Sequence, residues 1–387
     1  MDPNKIPQST LLLRACACLE LDEQRVHQIN KLVANRKVWQ GLAQRAERHG
    51  MAPLLYHHLK QLNVAIPDRT ALQLKSLVLR HQRATKIRTK ELMEVLQTLA
   101  TNDIPVIVLK GAALAYALYP TPELRPMSDI DILVDEHKCQ HAQRLLTSLG
   151  YGGANMYRPG AKFDHHHMAI AKKHIDGLTI SVEVHRDALS PDAIGSLTID
   201  SLSSLPTAYT IENIQARHFG HIDMLLHLCR HLTEPADETR LISIVDVYAF
   251  AEKYFVEIDW RNIKGQHSFI HNALRCLHAV SPLPVKLQPV LSPPENPATA
   301  IAGFGVPTLS SVSWNATRPR QNLRRIFLIL HPPQWWLHLY YNVEPERKSV
   351  LTIRWIEHPL RIIYWLALRV RALVRYHFYR ITHRLQN

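Results

Sequence analysis

An α+β fold, with a mixed sheet at its centre and helical regions on both sides, is what this 387-residue chain predicts. Three observations carry that expectation. Helix-period patterning runs almost without a break over residues 9–100. Short β-branched or alternating runs then crowd into residues 101–215, and helical spacing returns from 218. Strands interleaved with helices in this way build a sheet covered by helices. The chain therefore divides into a helical region (1–100), an α/β core (101–215), a second helical region (216–280), a proline-rich linker (281–320) and a basic helical region (321–387).

Element by element, Leu42, Ala46, His49 and Leu54-Leu55 suit a helix broken at Gly50, and Leu72 to Leu99 suits one or two longer helices. Ile104 to Leu109 is a short buried strand that ends in Lys110-Gly111, with a helix pattern to about Tyr119. A strand, a glycine and a helix start offer free N–H groups and a positive dipole end, in outline a phosphate cradle, and Lys110 adds a point charge. Gly111 taken alone is also compatible with a plain tight turn. Next comes Ser128-Asp129-Ile130-Asp131-Ile132-Leu133-Val134. Side chains alternate along a strand, so Asp129 and Asp131 share one face. Two like charges there repel, and a divalent cation, most simply Mg²⁺, relieves the repulsion.

A helix over Glu136 to Leu149 follows, ended by Gly150-Tyr151-Gly152-Gly153, and strands are expected near 163–172 and 178–185. In the second of these, Val182 and Val184 face one way while Ser181, Glu183 and His185 face the other. Glu183 is thus a third carboxylate if this strand lies beside the first. His165-His166-His167 precedes Met168, and one or two of these rings facing a cleft competes with an incidental edge run. Ile222, Leu225, Leu226, Cys229 and Leu232 form one helix face. His227 and His231 on that helix are four apart, but Leu228 stands where a zinc protease needs its glutamate. Residues 282–319 hold eight of the 24 prolines, which favours extended or irregular chain.

Five scattered cysteines, with Cys16 and Cys18 too close for a zinc finger, point to free thiols in a reducing cytoplasm. Neither a signal peptide nor a membrane-spanning run is apparent. The net charge of +13 is concentrated: from Arg318 onward thirteen Lys/Arg face only Glu344, Glu346 and Glu357. The last part, Leu360 to Leu385, reads as a basic, aromatic-rich helix. Three roles suit it: lying on an anionic membrane, contacting RNA phosphates, or packing on the protein body. A cytoplasmic protein is expected, with peripheral attachment at the inner membrane surface as one option.

Together these features resemble the DNA polymerase beta-type nucleotidyltransferase superfamily. More narrowly they are similar to a largely uncharacterised bacterial nucleotidyltransferase family, through Leu109-Lys110-Gly111, Tyr119, Arg125, Ser128 to Val134, and Glu183 with His185. Arg45 to Leu55 looks like that family's helical lead-in, and Asp223 to Leu232, with Arg240 and Asp246, like its helical follow-on. The resemblance covers roughly residues 40–260. It implies that Asp129, Asp131 and Glu183 are the metal carboxylates, and that Lys110, Gly111 and Ser128 lie near the nucleotide phosphates. Glu183 would polarise the acceptor hydroxyl, while His185 either orients an acceptor or phosphate or makes a structural hydrogen bond. Arg125 clamps a phosphate or pairs with an acid. Ala112, where a small hydroxyl or second glycine is usual, and a longer gap from Gly111 to Asp129 are departures from the superfamily pattern. The implied activity is Mg²⁺-dependent, two-metal transfer of a nucleoside monophosphate from an NTP, with ATP the expected donor, to an unidentified acceptor: a small molecule, a protein or RNA. The alternative is a nucleotide-binding or membrane- or RNA-associated adaptor without turnover.

Overall fold

The computed structural model describes residues 6–153, 166–190, 193–233, 240–293, 326–327, 329–347, 350–367, 370–371 and 374. The chain opens with five helices: α1 (Gln8–Ala15), α2 (Glu23–Val33), α3 (Leu42–Arg48), α4 (Ala52–Gln61) and α5 (Asp68–Thr101). Asp22 caps α2 by accepting the Arg25 N–H at 2.7 Å. The 34 residues of α5 form one helix rather than two. No glycine or proline interrupts it, so nothing removes a backbone bond, and it spans about 50 Å.

The core sheet contains β1 (Ile107–Val108), β2 (Ile130–Leu133), β3 (Ala171–Ile175) and β4 (Leu178–His185) in the order β1-β2-β4-β3. Helix α6 (Lys110–Ala117) follows β1, and α7 (Glu136–Ser148) follows β2. β2 and β4 run parallel while β1 and β3 pair antiparallel, which makes the sheet mixed as expected. β1 is shorter than its apolar run suggests: two residues pair with β2, and the Leu109 N–H extends the ladder to the Asp131 carbonyl at 2.9 Å. β3 and β4 form a hairpin whose turn, Asp176-Gly177, has both φ angles positive (50° and 76°), the geometry an Asp-Gly pair accepts most readily. The strand expected near 163–172 begins only at Ala171. Residues 163–165 lie outside the described residues, and His167 makes an isolated bridge to His185.

A second hairpin, β5 (Thr207–Ile211) with β6 (Ile214–His218), was not anticipated. Its inward residues alternate cleanly, but its turn is Glu212-Asn213, with Glu212 at φ 51°, so the usual glycine signal is missing.

Two cores hold these layers. One gathers Leu92, Val95 and Leu99 of α5, Leu146 of α7, and Ile130, Ile132, Val182 and Val184 of the sheet. The other joins the N-terminal helices to α8 (His221–His231), α9 (Leu241–Lys253), α10 (Trp260–Gln266), α11 (Ser268–Leu277), α12 (Gln288–Leu291) and α13 (Gln334–Tyr340). The start of the proline-rich segment contributes to it, since Leu283, Leu287 and Leu291 are buried there. Leu133 joins this second core while its neighbour Ile132 joins the first, as strand alternation requires. All five cysteines are buried and free. Among the described residues no helix is long and apolar enough to cross a membrane.

Candidate active site

The parallel register of β2 and β4 sets Asp131 directly beside Glu183. His185, two residues further along β4, shares Glu183's side of the sheet, so three polar groups meet on one face. His185 Nε2 lies 3.3 Å from Asp131 Oδ1 and 3.7 Å from Glu183 Oε2. From the head of α6, Lys110 Nζ reaches Asp131 Oδ2 at 3.3 Å. Lys110 itself holds φ at 47°, an uncommon backbone state for a side chain-bearing residue, at the point where strand becomes helix.

These contacts push the two carboxyls in opposite directions. Burial alone would raise the pKa of Asp131, which is only 4% exposed, but Lys110 and His185 outweigh it and hold the carboxyl well below its usual range. Glu183 is raised by burial and then by the charge of Asp131, with His185 partly opposing. The two neighbouring carboxyls are thus pushed apart, Asp131 down and Glu183 up.

Ligand atoms of Asp131, Glu183 and His185 all lie within 4.8 Å of one another, close enough to share one divalent cation. Two carboxylate oxygens and an imidazole nitrogen fit such an ion. The expected trio thus comes together only in part: Asp131 and Glu183 meet with His185, and Asp129 stands outside the group. Asp129 is half-buried just before β2, and its Oδ1 accepts from the Ser128 hydroxyl at 2.9 Å. It is still near enough for its charge to raise Glu183. His166 and His167 stand with ring centroids 5.2 and 5.4 Å from that of His185, widening the imidazole wall, whereas His165 lies outside the described residues. His227 packs its ring against Phe219.

Of the two roles open to Arg125, the structure displays the ion pair. Its Nε and Nη2 donate to both oxygens of Asp246 at 2.7–3.1 Å, and Nη1 donates to the Pro126 carbonyl. The Tyr119 hydroxyl donates to the same carboxylate at 2.7 Å. Burial would lower the Arg125 pKa, but Asp246 outweighs it and keeps the guanidinium charged. This pair explains Gly111. A Cβ there would come within 2.5 Å of Arg125 Nη1 and 2.9 Å of its Cζ, so glycine permits the guanidinium to lie against the start of α6. Because Asp246 pins that guanidinium, Gly111→Ala is expected to cost about 1–3 kcal/mol. Chemical denaturation checks this, and the cost should shrink when Arg125 is also truncated.

A family model described as an uncharacterised nucleotidyltransferase matches residues 35–280. The chain belongs to this family. The match runs from α3 to α11 and takes in every site residue named above. No curated protein and no solved structure matches the chain.

Within this nucleotidyltransferase framework, two arginines, one buried and one half-buried, lie within reach of the Asp129 charge. Arg88 on α5 is 8% exposed and Arg240 precedes α9; the Nε of each is buried and, among the described residues, has no hydrogen-bond partner. Burial lowers the pKa of both, and the charge of Asp129 opposes that in each. Sequence reasoning gave Arg88 no role, because it is one of many basic residues on a long helix. Asp246 carried a usable signal: an acid inside the near-apolar run Leu241–Ala251 needs a buried partner.

Proposed function

We propose that the protein transfers a nucleoside monophosphate from an NTP, ATP foremost, to an acceptor hydroxyl or phosphate and releases pyrophosphate, on the plan of the DNA polymerase beta-type superfamily. The observation that carries this reading is the registered Asp131–Glu183 pair with His185 on the same face. Asp131, Glu183 and His185 would hold the divalent ion, taken to be Mg²⁺. When bound, it would neutralise phosphate charge and favour ionisation of the attacking hydroxyl. Asp131, kept anionic, anchors the site. Glu183, registered beside Asp131, is the carboxylate suited to polarise the acceptor hydroxyl. Lys110 at the head of α6 is a cation that can pair with a phosphate oxygen as well as with Asp131. Arg88 and Arg240 supply two more positive charges on the Asp129 side, where a triphosphate needs them. A second metal ion would call on Asp129. Arg125 with Asp246 positions the turn that carries Lys110 and Gly111. Small molecules, protein side chains and RNA ends all offer an acceptor of the required kind.

Titration calorimetry with ATP and GTP, with and without Mg²⁺, tests the binding half of this reading. Saturable NTP binding that needs Mg²⁺ is expected, and Arg88→Ala or Arg240→Ala should each weaken it by about tenfold. Absence of NTP binding in the presence of Mg²⁺ would refute it.

A further inference from the structure

We propose that the C-terminal helical segment is an interfacial anchor that lies along an anionic lipid surface. Residues 351–367 are helical throughout, with a π-type stretch at Ile353–Glu357, and positions 370, 371 and 374 are helical too. One face is seated on the protein. Ile353, Ile362 and Trp365 are buried, His358 Nε2 lies 2.7 Å from the Ile329 carbonyl, and Arg361 Nε donates to the Tyr340 hydroxyl at 3.2 Å. The opposite face is apolar as well but, among the described residues, has no cover. Leu351, Trp355, Ile356, Leu360, Ile363 and Val370 are 56–63% exposed and recur at helical spacing, so they form one stripe.

Single exposed apolar residues are ordinary, but a contiguous stripe of this size marks an interaction surface. Charge selects the occupant. Between Arg318 and Asn387 the chain carries thirteen Lys/Arg against three acids, and Arg371 is exposed beside the stripe. An apolar helix face in a strongly basic segment, with exposed Trp355 and Tyr364 on the same helix, fits the boundary between anionic headgroups and acyl chains. RNA would engage the cations and stack on Trp355 and Tyr364, yet it would leave the aliphatic side chains in water. No described helix can span the bilayer, so the attachment lies in the surface plane.

Flotation of the full-length chain with vesicles tests this independently of any turnover. The chain is expected to float with vesicles of phosphatidylcholine containing about a third phosphatidylglycerol, and at least about tenfold less with phosphatidylcholine alone. Added salt should weaken the association. Ile356→Glu combined with Ile363→Glu, both at exposed positions, should cut the bound fraction by about tenfold or more with an unchanged melting curve. Trp355→Phe, a milder change, should remove the vesicle-induced blue shift of tryptophan fluorescence. Equal flotation of wild type and double variant would overturn the proposal. So would a chain that ignores anionic vesicles but binds RNA, or one that forms a dimer which the double variant dissolves.

Discussion

Asp131→Asn lowers NTP turnover by about two to three orders of magnitude, with the fold retained, if the site works as its geometry suggests. Asparagine keeps the shape of the side chain but removes the one carboxylate that Lys110 and His185 hold as an anion. A divalent ion held there would lose a charged ligand, and the Lys110 ammonium loses a carboxylate partner at 3.3 Å. The fold should survive because β2 keeps its backbone pairing to β1 and β4, and Ile130 and Ile132 keep their burial. Steady-state kinetics and a thermal melt check the two halves separately. Turnover within about twofold of wild type would remove Asp131 from the chemistry.

Arg125→Ala carries the largest expected stability effect, a loss of about 3–5 kcal/mol, because it strands the Asp246 carboxylate, a side chain only 2% exposed. The Tyr119 hydroxyl and the charge of Arg240 do not replace the two-pronged guanidinium. Arg125→Lys should recover little of the loss, since an ammonium cannot bind both carboxylate oxygens as the guanidinium does. Truncating both partners should cost less than the sum of the single changes, as expected of groups in direct contact. Denaturant unfolding of wild type, the two Arg125 variants, the Asp246 truncation and the double truncation measures this. A stable Arg125→Ala that fails to bind NTP would instead make Arg125 a phosphate ligand.

Much of this architecture was legible in the chain because alternation is a strict rule. β-branched residues flanking Asp131 and Glu183 fixed both strands and the face their acids share. The family match likewise falls on the residues that suggested it. Other features escaped for identifiable reasons. The β5–β6 hairpin turns on Glu212-Asn213 without glycine. Gly111 suggested a phosphate cradle, and that its lack of a side chain also makes room for Arg125 is a contact set by tertiary packing rather than local pattern. Asp129 shares its strand face with Asp131 by pattern, but it sits before the first paired residue of β2, and His185 takes the third place in the cluster. Arg88 is 41 residues from Asp129 in sequence, and only the fold brings their charges within reach.

The proposed reaction moves the nucleotidyl group and not the terminal phosphate. Incubating the protein and Mg²⁺ with cell extract and ATP labelled at either the α- or the γ-phosphate tests it directly. Transfer of the α-label to an acceptor, pyrophosphate release, and loss of both in Asp131→Asn are expected. Transfer of the γ-label, or equal α-labelling by wild type and Asp131→Asn, would contradict it.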